Sequence, residues 1–504
     1  MANQLFARKP FWMLQEEMKG ENRLRRVLGP WQLTALGVGA VIGTGIFVLT
    51  GQAAHDKAGP ALMLSFVAAG IACIFAALCY AEFASMAPVA GSAYTYAYAT
   101  LGELAAWIIG WDLVVEYAVA SMTVAHGWSK NFQDILATLG FHFPKSLGDS
   151  PFNYDPALGH FVGTGSYFDL PAILIAAAVT YILVKGIRES ASVNTGIVVL
   201  KVAIVGFVII AGAFYINPAN WHPFAPYGLT GLSFFGHTVA GTTDAGGHPV
   251  GMLAGAAIIF FAYIGFDSVS THAEEAINPK KDVPFGIIVS LVACTILYIL
   301  VAGVLTGMVP TPQINIETPV SDAFRRAGLP WARLLVSVGA VAGITSVLLV
   351  MMLSQPRVWL AMARDGMVGE SFFGAVHEKY RTPWKATLLT GVVVAIGGGL
   401  LPLRILAELT NIGTLFAFVV VCAAVLIMRR THPELERPFR APLGAATPIL
   451  GIITCLILMF SLAPENWYRL VIWLAIGLFI YFGYSRHHTV MARYARGEIK
   501  DPGK

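Results

Sequence analysis

The chain has 504 residues, of which 56% are hydrophobic and only 12% are charged, with a mean hydropathy of +0.68. Because soluble domains carry about 25% charged residues, this composition excludes a soluble globular protein and predicts a polytopic membrane protein. The net charge of +4 does not indicate nucleic-acid binding, since membrane proteins concentrate lysine and arginine in their cytoplasmic segments.

Apolar runs long enough to cross a bilayer as helices recur along the whole chain. They predict an all-α membrane protein with twelve transmembrane helices, numbered one to twelve, at roughly 32–53, 60–86, 103–127, 169–184, 190–215, 250–272, 285–308, 333–362, 384–401, 405–428, 446–463 and 469–484. The first run is too long for the core of a signal peptide, so we expect it to be a span. All five cysteines lie in these runs, and we expect them to behave as small apolar residues without a disulfide or a metal.

The basic residues predict the orientation. A cytoplasmic N-terminus places most lysines and arginines in cytoplasmic segments, whereas the external loop 216–249 contains neither. By the positive-inside rule, both termini are expected on the cytoplasmic side of the cell membrane.

The predicted organisation is an inverted repeat of five plus five helices with two extra helices. The expected divisions are a cytoplasmic segment 1–31, a first repeat 32–215, a second repeat with its preceding external loop 216–428, two additional helices 429–485 and a cytoplasmic tail 486–504. The stretches 128–168 and 216–249 are expected outside the membrane. The segment 9–28 is either an interfacial amphipathic helix or a solvated tail.

The centre of helix one reads GVGAVIGTGIFVLTG, residues 37–51, with five glycines. Each glycine weakens a helix interior by roughly 1 kcal/mol relative to alanine, so the sequence predicts an unwound centre. Free amides at residues 44–47 and the positive end of a new half-helix would then form a carboxylate site at mid-membrane. The alternative is that Gly39 and Gly43 form a GxxxG packing face.

Helix six has a second glycine-interrupted centre, FFAYIGFD, at a similar depth. Its freed carbonyls and those of helix one would accept hydrogen bonds from an ammonium group, so the two breaks together fit the backbone of an α-amino acid. The predicted backbone site consists of Val41, Ile42, Gly43, Thr44, Gly45, Ile46, Phe260, Phe261, Ala262 and Ile264.

Four stretches in order resemble the amino acid–polyamine–organocation superfamily and, within it, the cationic amino acid transporter family. They are GVGAVIGTGIFVLTG, the segment from CYAEFASMAPVAGS to EYAVASM, YIGFDSVSTHAEEAINPKKDVPFGI and NIGTLFAFVVVCAAVLIMRRTHPELERPFRAP. The resemblance covers nearly the whole chain and implies the inverted-repeat transporter fold and amino-acid transport.

Ionisable residues inside predicted spans need a reason, since a charge at the bilayer centre costs at least about 3 kcal/mol. Lys201 lies deep in helix five, and the resemblance implies a proton-coupling lysine in the place of a bound sodium ion. It is otherwise a structural lysine tied to helix-one carbonyls, and both roles can hold. Asp112 and Glu116 share one face of helix three. Glu116 is predicted as a substrate-pocket or proton-linked carboxylate, or as a buried hydrogen-bonded acid.

Three further features carry open interpretations. Asp267 follows the helix-six break and is either functional or a cap or brace for the second half-helix. Glu274, Glu275 and His272 are expected at a solvated cytoplasmic end. The resemblance implies that Met351 or Met352 of helix eight lines the side-chain pocket, although a bulky apolar residue does not suit a long cationic substrate and such pairs often serve core packing.

The predicted function is import of L-amino acids, cationic or small and neutral, by proton symport through alternating access. The alternatives are an exchanger without proton coupling and, from another class, a channel, for which no charged ring or pore loop is present. An intramembrane enzyme is not expected, because HExxH and GxSxG are absent from the sequence. No cofactor is predicted; the expected partners are the amino acid, protons and the lipid bilayer, and the sequence leaves an accessory subunit undecided.

Overall fold

The computed structural model describes residues 5–10, 13, 28–86, 92–155, 158, 160–186, 191–235, 237–273, 276–380 and 382–498. Most of the predicted interfacial segment 9–28 lies outside these residues, as do Glu274 and Glu275. The described chain is mostly helical.

The helices are labelled α1 to α12 after the predicted helices to which they correspond. Two of them are broken: α1 into α1a (Pro30–Val41) and α1b (residues 45–58), and α6 into α6a (Met252–Ile259) and α6b (Ser268–Thr271). The others are α2 (Leu62–Met86), α3 (Glu103–Thr138), α4 (Leu170–Lys185), α5 (Ala191–Ala213), α7 (Pro279–Met308), α8 (Pro330–Arg364), α9 (Trp384–Leu400), α10 (Leu403–Thr431), α11 (Ala446–Phe460) and α12 (Pro464–Ile480). Short helices at Ser92–Thr100, Pro319–Arg326, Glu370–Phe373 and Val490–Ala495 connect or follow them.

Eight helical stretches of the described chain are long and apolar enough to cross a membrane, and α4, α9 and α11 are shorter apolar helices. One of the eight combines α1b and α2, which follow each other through a tight turn at Gly59. The chain is therefore a multi-pass helical membrane protein.

Helix α3 continues to Thr138, past its predicted end at residue 127, so the segment expected outside the membrane from residue 128 begins as helix. The extra turns carry polar residues, but these are satisfied inside the protein. Asp134 accepts hydrogen bonds from Ser321 (2.8 Å) and Ser337 (2.5 Å), and its carboxylate pairs with Arg333. A polar stretch can thus remain helical because its neighbours replace water.

Three small antiparallel hairpins lie in the loops before α4 and α6. They are β1 (Phe152–Asp155) with β2 (His160–Gly163), β3 (Leu232–Phe234) with β4 (His237–Ala240), and β5 (Thr242–Thr243) with β6 (Pro249–Val250). The β5–β6 turn reaches the end of α1b, where Lys57 donates a hydrogen bond of 2.8 Å to the Pro249 carbonyl.

Charged side chains join this turn to three helices. Asp244 of the turn lies 3.7 Å from the Lys57 ammonium and 3.6 Å from the guanidinium of Arg404 at the start of α10. Arg404 also pairs with Glu408 at 3.2 Å. His248 lies 3.5 Å from Glu465 at the start of α12. This network, defined as the turn network, connects α1b, α10 and α12 through one loop.

His248 is the histidine of the turn network, and its charge is set by the carboxylates around it. Burial lowers its pKa, but hydrogen bonds to Asp244 and Glu465 outweigh burial and raise the pKa to about 9. Its ring also lies 2.7 Å from the Tyr154 hydroxyl. The imidazolium is therefore the form that the surrounding carboxylates stabilise.

We predict that the stability contribution of His248 disappears at alkaline pH. Its folded-state pKa lies above the usual 6.5, so the contribution is complete below pH 6.5 and is lost as the pH rises through about 9. The thermal unfolding midpoint of wild type should exceed that of His248→Gln below pH 6.5, and the gap should close above pH 9. His237→Gln, an exposed site in β4, is the control. A gap that is constant across this range would contradict the assignment.

Candidate substrate site at the two broken helices

The break in α1 leaves backbone carbonyls without helical donors. The last helical hydrogen bond of α1a runs from the Ile42 amide to the Val38 carbonyl, and Ile42 itself is extended with ψ 105°. The carbonyls of Gly39, Ala40 and Val41 would bond to amides one turn further on in a continuous helix. In an apolar environment such groups need another donor.

Side chains from two other helices supply these donors. The Lys201 ammonium of α5 donates to the Gly39 carbonyl at 2.6 Å, and the Tyr298 hydroxyl of α7 donates to the Val41 carbonyl at 2.9 Å. Lys201 therefore does bind a helix-one carbonyl. The Val41 carbonyl, which the sequence predicts as an acceptor for a substrate ammonium, already accepts one hydrogen bond from Tyr298 and keeps only its second lone pair. The Ile42 carbonyl has no backbone donor among the described residues.

The amides beyond the break are only partly free. The amides of Ile46 and Phe47 both lie 3.2 Å from the Gly43 carbonyl, so the prediction of free amides at these two positions is wrong. The cause is local: hydrogen bonding resumes at once after the break, because amides three and four residues further on share the Gly43 carbonyl and close the first turn of α1b. Within the described chain, the amides of Thr44 and Gly45 have no backbone acceptor, and the buried Thr44 hydroxyl is also without a partner.

The break in α6 is capped in a similar way. Helix α6a passes into a 3₁₀ turn, Phe260–Tyr263, followed by an extended Ile264 with ψ 132°. The side-chain amide of Asn411 in α10 donates to the carbonyls of Ala257 (2.8 Å) and Ile258 (2.9 Å). The Phe261 carbonyl, which the sequence predicts as an acceptor, already accepts one hydrogen bond from the Ile264 amide and keeps only its second lone pair.

The two breaks contact each other directly. A Cβ atom added to Gly45 would lie 2.3 Å from the Ala262 Cα atom, and one added to Gly265 would lie 2.9 Å from the Ala40 carbonyl oxygen. Gly265 also has φ +118°, which only glycine adopts readily. The sequence predicts that Gly45 leaves room for a carboxylate, but in this conformation the backbone of α6 fills that space. The glycines thus allow close packing as well as the break.

One face of α8 lines the same region. A Cβ atom added to Gly343 would lie 3.4 Å from the Lys201 side chain, and one added to Gly43 would lie 2.7 Å from Val347. Gln355 donates to the Val114 carbonyl of α3 at 3.0 Å. Because residues four apart share a helix face, Met351 belongs to this face, whereas the buried Met352 is turned about 100° away from it. Sequence reasoning missed Val347, which four-residue spacing from Gly343 could have indicated.

Three buried carboxyl groups lie close together beside the breaks. Asp112 has both carboxyl oxygens without a hydrogen-bond partner, and Glu116 and Asp267 have one such oxygen each. Asp112 faces α10, where a Cβ atom added to Gly413 would lie 3.1 Å from its carboxyl oxygen. No cation pairs with these groups in the described part of the chain. Since an unpaired buried charge is costly, this acidic cluster must hold protons or bind a cationic group.

Two residues near the cluster had open or different expectations. The Asp267 side chain makes no capping hydrogen bond to α6b, but it accepts a hydrogen bond of 3.2 Å from Tyr117 and so braces α6 against α3, one of the two structural roles expected for it. His272 is half-buried rather than solvated, and its Nδ1 lies 2.9 Å from the Ser268 carbonyl.

Buried ion pairs lie towards both ends of the site. At the end of α8, the Lys9 ammonium lies 2.8 Å from Asp365, which also accepts a hydrogen bond of 2.7 Å from Tyr94. The turn network lies at the other end of the site, at Lys57 near the end of α1b. The residues at the breaks, including Gly43, Thr44 and Ala262, are themselves buried. A solute can therefore reach the breaks only if contacts at one end open.

The sequence of residues 28–482 matches the family model described as amino acid permease. The chain belongs to the amino acid permease family. It is 47% identical over 490 residues to the branched-chain amino acid permease BcaP of Bacillus subtilis, with 97% of this chain and 99% of that protein covered. It is 44% identical over 487 residues to the methylthioribose transporter of the same organism, with the same coverage.

A plant protein is also similar. The vacuolar cationic amino acid transporter 4 of Arabidopsis thaliana is 36% identical over 421 residues, which cover 82% of this chain and 65% of that protein. These relatives are named as permeases and transporters, so the prediction that this family member is not an enzyme is confirmed. The resemblance found in the four sequence motifs is confirmed as well.

We predict that Gly45→Ala lowers substrate transport strongly. The new methyl group would meet the Ala262 backbone at 2.3 Å, and overpacking of this kind costs about 1–3 kcal/mol. Gly206→Ala in α5 is the matched control, because a Cβ atom there meets nothing within 4 Å. Transport rates and thermal stability of the two variants in proteoliposomes test this. Wild-type transport by Gly45→Ala would show that close approach of the two breaks is dispensable.

Proposed function

We propose that this permease imports L-amino acids by proton symport, with twelve transmembrane helices, both termini in the cytoplasm and its substrate site at the two breaks. An inverted repeat of α1–α5 and α6–α10 is supported by the side chains that donate hydrogen bonds to the carbonyls at the two breaks. The first helix of each half is broken, and a polar side chain of the fifth helix, Lys201 or Asn411, donates to carbonyls of its first half-helix. We keep the divisions at residues 31, 215, 428 and 485 as part of this proposal; α1a begins at Pro30, α5 ends at Ala213 and α10 ends at Thr431, within three residues of the first three of them.

The observation that carries the substrate proposal is the set of unpartnered groups at the α1 break. The amides of Thr44 and Gly45, with the Thr44 hydroxyl, are suited to a substrate carboxylate at the positive end of α1b. The Ile42 carbonyl, with carbonyls of the 3₁₀ turn in α6, is suited to the ammonium group. The contact between Gly45 and Ala262 has to loosen when the substrate enters.

The side-chain pocket is proposed between α3 and α8. Val347 and Met351 give it an apolar wall, which suits small or branched apolar side chains, and one relative is named as a branched-chain amino acid permease. Glu116 and its acidic neighbours on the α3 side would accept a cationic side chain, and other relatives are named as cationic amino acid transporters. We therefore propose neutral amino acids as substrates, with cationic ones limited by the α8 wall.

Lys201 is proposed as the coupling residue. Its ammonium holds α1a to α5 through the Gly39 carbonyl, and the neutral amine cannot make the same charge-assisted bond. Because burial penalises the ammonium, its protonation can depend on the conformation around it. Proton transfer would then shift the balance between inward-open and outward-open states. An exchanger without coupling remains the alternative.

We predict that Lys201→Ala abolishes proton-driven accumulation while counterflow exchange continues at a reduced rate. Lys201→Arg keeps the charge but does not release its proton, so it should bind substrate and also fail to accumulate it. Uptake into proteoliposomes under a pH gradient, with and without sodium, measures this.

The counterflow signal shows that each lysine variant is folded. Accumulation by Lys201→Ala under the pH gradient, or strict sodium dependence of wild type, would contradict the coupling role and make Glu116 the next candidate.

We predict that Met351→Ser increases the affinity for arginine relative to alanine, because it shortens the apolar wall and adds a hydroxyl. Met352→Ser is the matched control, since it makes the same change in a buried residue of the same helix that lies off the lining face. Competition of each amino acid against a labelled substrate gives the ratio. Equal shifts in both variants would place the pocket wall elsewhere.

A further inference from the structure

A group of exposed and half-buried lysines lies among aromatic rings where α4 ends and α9 begins. The segment between α8 and α9 folds back onto the end of α4. The Thr382 hydroxyl donates to the Val184 carbonyl at 2.8 Å, and a Cβ atom added to Gly186 would lie 3.6 Å from the Tyr380 carbonyl oxygen. Chain segments distant in sequence therefore form one surface here.

Each lysine of this surface lies over an aromatic ring. The Lys185 ammonium is 4.4 Å from the Tyr181 ring centre, and that of Lys379 is 5.5 Å from the ring centre of Tyr380. The Lys385 ammonium is 5.8 Å from the ring of Trp384. We define these residues, Lys185, Lys379, Lys385, Tyr181, Tyr380 and Trp384, as the lysine–aromatic patch.

The ammonium groups of the patch lack a carboxylate partner. Across the described ranges, no acidic oxygen lies within 4.0 Å of them, although the exposed Glu370 and Glu378 belong to the same connecting segment. The buried Lys9 and Lys130 are different, since each of them pairs with a carboxylate at 2.8 Å. The patch therefore offers positive charge to a ligand that the protein itself does not neutralise.

An apolar surface begins directly beside the patch. Helices α4 and α9 pack closely at Gly391, where a Cβ atom would overlap the Thr180 side chain of α4. Their outer faces expose large apolar side chains: Leu174, Tyr181 and Ile182 on α4, and Leu388, Leu389, Val392, Val393 and Ile396 on α9. On helices of a membrane protein, such faces meet acyl chains.

We propose that the lysine–aromatic patch binds the headgroup of an anionic phospholipid, whose acyl chains lie along the outer faces of α4 and α9. The phosphodiester oxygens accept hydrogen bonds from the three ammonium groups. Tyrosine and tryptophan rings at this level are suited to the interface between headgroups and hydrocarbon. Basic clusters between transmembrane helices recognise anionic headgroups through the same chemistry. The binding would fix α4 and α9 relative to the membrane plane while other helices move.

The test compares lipid binding by two charge-matched triple variants. Lys185→Gln/Lys379→Gln/Lys385→Gln removes the patch. Lys280→Gln/Lys281→Gln/Arg430→Gln removes the same charge from exposed positions elsewhere, where Lys280 already has a partner in Glu436 at 3.4 Å. Detergent-purified protein is titrated with phosphatidylglycerol or phosphatidylcholine, and bound lipid is counted by native mass spectrometry alongside the thermal unfolding midpoint.

Wild type and the control variant should bind phosphatidylglycerol more tightly than phosphatidylcholine and be stabilised by it. Each lysine contributes about 1 kcal/mol, so the patch variant should bind phosphatidylglycerol about a hundredfold more weakly. An equal loss of phosphatidylglycerol binding in both triple variants would mean that the lipid responds to the overall charge of the protein, and this would overturn the proposed site. Equal protection of wild type by inorganic phosphate would mean a site for free anions and overturn the lipid proposal.

Discussion

The structure depends on one constraint: a backbone carbonyl in the hydrocarbon region needs a hydrogen-bond donor, and a broken helix removes that donor. At both breaks, side chains of other helices donate hydrogen bonds to the freed carbonyls. Lys201 and Tyr298 donate to α1a, and Asn411 donates to α6a. The breaks are thus not loose points of the fold. They are tied to α5, α7 and α10, and the helices that carry the donors are fixed by the same bonds.

This constraint links the site to the movement that transport requires. A half-helix held by two side-chain hydrogen bonds can change its position only if those bonds break or move with it. The bond from Lys201 is the one whose strength depends on a proton, while those from Tyr298 and Asn411 are between neutral groups. A proton on Lys201 therefore acts on the attachment of α1a without changing the attachment of α6a. Coupling by a single residue is physically reasonable for this reason.

The sequence predicted the breaks because their signal is local. Clustered glycines in an apolar run lower helix stability whatever surrounds them, and a lysine in such a run is conspicuous by its charge. The donors Tyr298 and Asn411 and the wall residue Val347 were not predicted, because each acquires its role from a partner far away in the sequence. Tyrosine, asparagine and valine are also ordinary in apolar helices. The paired amides of Ile46 and Phe47 were missed for another reason, since the residue at which helical hydrogen bonding resumes after a break depends on small backbone adjustments that composition does not reveal.

Buried polar groups of this protein fall into two kinds, those with a hydrogen-bond or ion-pair partner and those without one, and the difference helps to distinguish structural from functional residues. Asp134, Asp365 and the Lys57, Arg404 and Glu408 side chains of the turn network are buried beside charged partners, and these charges join helices. The carboxyl oxygens of Asp112 and the Thr44 hydroxyl are buried without partners. Charges that pair with a neighbour join helices, whereas the open groups of Thr44 and Asp112 beside the breaks join none. Their cost is understandable only if a substrate or a proton satisfies them for part of the cycle, and that reasoning, rather than burial alone, selects them as functional residues.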